Sequence, residues 1–336
     1  MRSITSVVAL FVAFVTAASA QNVVNVYSSR HYDTDDELFA KFTEETGIEV
    51  RLLEADADQL LARIEREGEF SPADVFIAVD AARIHRAEAK GLFAPVDSEV
   101  IESRVPANRR HPDGMWIGIT ERVRVIVASK DRVEDGEVET YEDLIKPELR
   151  DRVLIRSSSN VYNQSLVAGM IASIGTSQTE AWCRGIAANL ARTPQGGDTD
   201  QIRAVAAGEG DVAVVNHYYL ARLIDGDAAN RAVAEKVEII FPNQDDRGVH
   251  VNICGGGVLK HAPNRDNAIR FLEFLVSDEA QANFAADNYE YPVVEGVELH
   301  PILAGFGEFK ADELNVADLG ENNREAVQLM DRIDWR

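Results

Sequence analysis

The chain alternates between two spacings of apolar residues. Val23, Val24 and Val26 form a strand-like run, and the polar turn Ser28-Ser29-Arg30-His31-Tyr32 follows it. From Asp35 to Thr46 the apolar residues Leu38, Phe39 and Phe42 fall at helical spacing, and Gly47 stands where a helix end favours positive φ. The pattern recurs as strand Ile48 to Leu53, helix Asp58 to Glu67, strand Val75 to Val79, and helix Ala81 to Lys90, stopped at Gly91. Strand, helix and strand at this spacing predict parallel pairing in an α/β sheet flanked by helices.

Ile117 to Ala128 alternates in its second half and predicts one long strand, able to leave one folded unit for another. A second α/β series follows, with Val153 to Ile155, a helix over Ser165 to Ile174, a helix around Trp182, the loop Pro194 to Asp198, and strand Val212 to Val215. Val249 to Ile253 then runs into Gly255-Gly256-Gly257, which lacks a P-loop lysine or a dinucleotide fingerprint and suits a hinge or close backbone packing. Helices at Asn267 to Val276 and Asp278 to Ala286 close the pattern. No low-complexity linker or internal repeat separates the parts, so two lobes joined by crossing strands are expected.

Residues 1 to 20 read as an export signal: Arg2 is the positive start, Val7 to Val15 are apolar but too short to span a bilayer, and Ala18-Ser19-Ala20 precedes cleavage. This predicts a periplasmic protein beginning at Gln21, with no cysteine there to carry a lipid. Its length suits two lobes on a scale of about 100 to 200 residues per domain. The formal charge of −23, or −24 once Arg2 leaves, argues against nucleic acid, whose phosphates need a basic surface. Cys183 and Cys254 form neither a CxxC nor a zinc spacing. Two cysteines in an oxidising compartment leave a disulfide open.

Tyr218 and Tyr219 are adjacent in a chain with eight tyrosines. Phenolate oxygen is a hard donor suited to trivalent iron. Both residues follow the strand Val212 to Val215, just as Tyr32 follows the first strand and Tyr162 follows Arg156-Ser157-Ser158-Ser159-Asn160. Open α/β sheets bind ligands beyond the carboxyl ends of their strands. Three strand-end turns therefore offer four tyrosines, with His31 beside the first.

At this point the sequence resembles the periplasmic ferric-ion-binding proteins of the Fut/Fbp type, the capture components of iron ABC importers. The resemblance covers nearly all of the mature chain and is carried by Val26 to Tyr32, Asn160 to Ala168, Pro194 to Asp200, Asn216 to Leu223 and His250 to Gly257. It implies a type II two-lobed binding fold, each lobe a mixed, mainly parallel sheet. Residues 21–122 and 249–299 would form the N-terminal lobe, and 123–248 and 300–336 the C-terminal lobe. It also implies Fe(III) as transported cargo, a permease in the inner membrane as partner, and a monomeric state.

In the branch of that family with one histidine and four tyrosines, the matching positions are His31, Tyr32, Tyr162, Tyr218 and Tyr219. The other branch has a glutamate near Asp80, and the shorter aspartate here favours the four-tyrosine site. Four phenolates around a 3+ ion leave one negative charge, which calls for nearby cations: Arg222 one turn from the pair, then Arg122 and Arg124. His217 is expected to point away from the site. The family topology puts the cysteines in different lobes and favours two free thiols. A different cargo, an organic solute or oxyanion, is the alternative. No GxSxG, HExxH or Cys/His nucleophile arrangement suggests an enzyme.

Overall fold

The computed structural model describes residues 22–30, 32, 34–333 and 335. The export signal and His31 lie outside the described residues. Nine strands are assigned within them: β1 Val23–Ser28, β2 Glu49–Glu54, β3 Val75–Val79, β4 Ile117–Ser129, β5 Val153–Leu154, β6 Val212–Asn216, β7 Val237–Ile240, β8 Val251–Val258 and β9 Tyr291–Pro292. They form one connected sheet in the order β2-β1-β3-β8-β4-β6-β5, with β7 and β9 also paired to β4.

The expected parallel pairing holds for β1 with β2 and β3, and for β5 with β6. Every pairing made by β4 or β8 is antiparallel. The sheet is therefore mixed, with antiparallel pairs in the majority. The crossing strands cause this, because β8 returns alongside the long β4 instead of being reached through a helical crossover. Ile117 to Val123 of β4 pairs with β8, while Arg124 to Ser129 pairs with β6 and β7.

Gly255 and Gly257 lie within β8, and a Cβ on either would collide with the carbonyl of Ile117 or Met115. Of the two roles open to the glycine run, the structure shows close backbone packing at these two positions.

The apolar residues separate into cores on either side of this crossing. On one side, Val24, Phe42, Ile77 and Phe271 pack on one face of the sheet, and Leu60, Phe76, Ile84 and Trp116 on the other. On the far side a single core gathers Val125, Val167, Trp182, Val214, Leu223 and Trp335. The C-terminal stretch spans both, since Val316 and Leu319 join the core of Phe76 while Leu329 and Met330 join that of Trp182. Cys183 and Cys254 are both buried and unpaired. Among the described residues no helix is long and apolar enough to cross a membrane.

Candidate functional site

Four tyrosines converge where the two sets of cores face each other. Tyr32 follows β1, and its carbonyl accepts from the backbone N–H of Asp35 at 2.9 Å, opening the helix Thr34–Thr46. Tyr162 lies in the first turn of the helix Val161–Ile174, where the Asn160 side chain accepts from the Tyr162 N–H at 3.1 Å. That cap starts the helix four residues before the expected Ser165. Tyr218 and Tyr219 occupy the first turn of the helix His217–Asp225, directly after β6.

The Tyr218 and Tyr219 rings are 4.4 Å apart between centroids and inclined by 35°. The Tyr219 phenol lies near enough to those of Tyr218 and Tyr162 for each to perturb its ionisation. Burial, then the proximity of the other phenols, raises the pKa of Tyr218 well above the ordinary value. Burial followed by Tyr162 and Asp198 raises Tyr219. Burial and Glu290 raise Tyr32, against the opposing pull of Arg122, Arg30 and Arg222. These three phenols therefore stay protonated at neutral pH until something replaces the proton.

The arginines around them differ in how their charge is balanced. Arg222 lies over the rings of Tyr32, Tyr218 and Tyr219 at 5.2, 5.1 and 6.0 Å from the centroids. It makes no carboxylate pair among the described residues, so its charge is free to meet that of the site. Arg122 donates from Nη2 to the Tyr32 hydroxyl at 3.4 Å and lies 5.7 Å from the Tyr218 ring, but Glu290 balances it. Arg124 is 5.9 Å from the Tyr162 ring and donates from Nη1 to Asp198 Oδ2 at 2.7 Å. The same Asp198 oxygen accepts from the Asn216 N–H at 2.9 Å, and the Asn216 amide donates to the Tyr218 hydroxyl at 3.3 Å. Asp198 thus ties the loop Pro194–Asp198 to the start of the tyrosine helix.

Asp80 has a different task. It caps the helix Ala81–Ala89 with φ at 87°, and its carboxylate accepts from the Ala82 N–H at 2.9 Å, Ser165 Oγ at 2.7 Å and the Asn252 amide at 2.9 Å. Its oxygens are engaged by this cap and by the contact with Ser165, which spans the two sides of the molecule. His217 packs its ring edge-on against Tyr218, 5.6 Å between centroids, but directs both nitrogens to backbone groups and not to the tyrosine hydroxyls. The Val123 N–H donates to its Nδ1 at 3.1 Å, so Nε2 carries the proton and donates to the Tyr289 carbonyl at 2.8 Å. Burial lowers its pKa to about 4.

Sequence reasoning missed Glu290, Arg30 and Asp198 as parts of this arrangement. Asp198 lies in a segment the resemblance had marked, whereas Glu290 carries no local signal.

This fold and cluster belong to a solute-binding protein, and residues 70–305 match the family model for bacterial extracellular solute-binding proteins. The chain belongs to that family. It is 53% identical to the iron uptake protein A1 of Synechocystis sp., over 94% of this chain and 88% of that protein. The major ferric iron-binding protein of Neisseria meningitidis is 28% identical over 98% of both chains. Among solved structures, FutA (IdiA) of Trichodesmium in complex with iron and citrate superposes with a TM-score of 0.91. That match has 50% identity and covers 94% of this chain and 100% of that one. The apo FutA2 protein of Synechocystis superposes with a TM-score of 0.90 at 50% identity, over 94% of this chain and 100% of that one. The architecture is that of a type II periplasmic binding protein.

Proposed function

We propose that this protein captures ferric iron in the periplasm and delivers it to an ABC permease of the inner membrane. Tyr32, Tyr162, Tyr218 and Tyr219 would bind the ion as phenolates, and His31, beside Tyr32 in sequence, would complete the set. Residues 21–122 with 249–299 would form one lobe and 123–248 with 300–336 the other, the stretch Val316 to Leu319 strapped back onto the first.

The observation that carries the reading is the Arg222 guanidinium, without a carboxylate pair among the described residues, lying over the rings of Tyr32, Tyr218 and Tyr219. Phenolates suit a hard trivalent ion, and the arginine offsets the negative charge left after four of them surround it. The names of the relatives point the same way, and catalysis has no part in this reading. Ligands drawn from both lobes would couple binding to hinge closure, because only the closed form gathers the full set.

The test is equilibrium dialysis against citrate-buffered Fe(III). The wild type is expected to retain one iron per chain, and the Tyr218→Phe/Tyr219→Phe variant none. Equal retention by the two proteins would contradict the assignment and favour a site built on other groups.

A further inference from the structure

Glu290 makes no hydrogen bond to Tyr32, Tyr162, Tyr218 or Tyr219 among the described residues, yet its fully buried carboxylate organises the ground beneath Tyr32. Oε1 accepts from Arg122 Nε at 2.7 Å and also from Arg122 Nη2. Oε2 accepts from Arg30 Nη1 at 2.9 Å and from Thr120 Oγ1 at 2.9 Å. The other edge of Arg30 donates to Asp35 at 2.8 and 3.2 Å.

Both guanidiniums reach Tyr32. Arg30 lies 4.8 Å from its ring centroid, and Arg122 hydrogen-bonds its hydroxyl. Two cations and two carboxylates are thus locked together in the interior, where charges are poorly screened. Such a group is costly to bury unless each member is paired, and here every carboxylate oxygen receives a donor.

We propose that Glu290 sets the oxidation-state preference of the iron site: it fixes Arg122 and Arg30 against Tyr32 while cancelling one of their charges, and so favours Fe(III) over Fe(II). The inference rests on the four-tyrosinate reading above. Four phenolates carry a net charge of −1 with Fe(III) and −2 with Fe(II). A nearby cation stabilises the ferrous complex more than the ferric one, and a nearby anion does the reverse. Glu290 is such an anion, held in place without occupying a coordination position. The half-reaction involved is the addition of one electron to bound Fe(III), supplied by the electrode in the test.

The experiment is a mediated spectroelectrochemical titration of the iron-loaded full chain, comparing wild type, Glu290→Gln and Arg30→Gln. Glu290→Gln keeps the shape and removes the negative charge, so the reduction potential is expected to rise. The ratio of ferrous to ferric dissociation constants should fall by at least about tenfold, the size expected for a unit charge acting across the incompletely screened interior. Arg30→Gln removes a cation from the same network, so its potential should fall.

Opposite shifts are the signature of charge, whereas a purely structural contribution would move both variants the same way. If Glu290→Gln does not fold, Arg30→Gln decides alone, with a lowered potential supporting the proposal and an unchanged or raised one overturning it. Shifts of one sign, or none, in variants that still bind iron overturn the proposal and leave the tyrosine site intact. Failure of the wild type to bind iron would instead remove the reading on which the proposal rests.

Discussion

Loading iron into the proposed four-tyrosine site should expel protons in a number set by how many phenols ionise. Burial is the leading cause holding the Tyr32, Tyr218 and Tyr219 phenols protonated, and the three raise one another or are raised by neighbouring acidic groups. Removing a proton from a phenol with a pKa of about 10 at pH 7 costs about 4 kcal/mol, and more when burial raises that pKa. The metal–oxygen bonds must supply this. Four ligands ionising together release about four protons, so the affinity for free Fe(III) should strengthen by about 5 kcal/mol per pH unit while the phenols remain protonated beforehand. The sign follows because binding discharges protons, so raising the pH favours the bound state.

The assay adds a ferric chelate to weakly buffered protein near pH 7, reads the pH change, and subtracts the protons released by chelate alone. Wild type should release about four protons and Tyr162→Phe about three. Release of one proton or fewer on stoichiometric loading would mean that phenols are not the ligands, and the electrostatic account of the site would fail.

Two further outcomes test the framework around the site. Asp198→Asn leaves the buried Arg124 without its carboxylate and should cost about 3 to 5 kcal/mol of stability, read from the denaturant midpoint, where an unchanged value would contradict the pairing. His217, with its pKa lowered to about 4, is held neutral in the fold while the unfolded chain takes up a proton below about pH 6.5. Its contribution is complete above pH 6.5 and shrinks as the pH falls to 4, a loss of about 3 kcal/mol, so His217→Gln should flatten the acid side of the stability profile by about one proton. A profile parallel to wild type would refute this.

The local pattern made much of the fold legible. Val23, Val24 and Val26 do form the first strand, and Leu38, Phe39 and Phe42 do face its core. Strand pairing was less accessible, because a sequence run records its own period but not the partner it meets. The antiparallel crossing of β4 and β8 joins segments more than a hundred residues apart. The positions of the tyrosines at strand ends were visible, and their convergence was expected through the family resemblance. Glu290 was invisible for a physical reason: its hydrogen-bond partners Thr120, Arg122 and Arg30 lie 170, 168 and 260 residues away. The helix start at Val161 was missed because Asn160 caps it, while the Ser157-Ser158-Ser159 run before it reads as a turn.

The most direct measurement is the visible spectrum of the protein loaded with Fe(III) and freed of excess metal, taken together with the iron stoichiometry. The account predicts one iron per chain and a phenolate-to-iron charge-transfer band, weakened in Tyr162→Phe and abolished in Tyr218→Phe/Tyr219→Phe. A colourless loaded protein, or a band unchanged by removing the paired tyrosines, would contradict it.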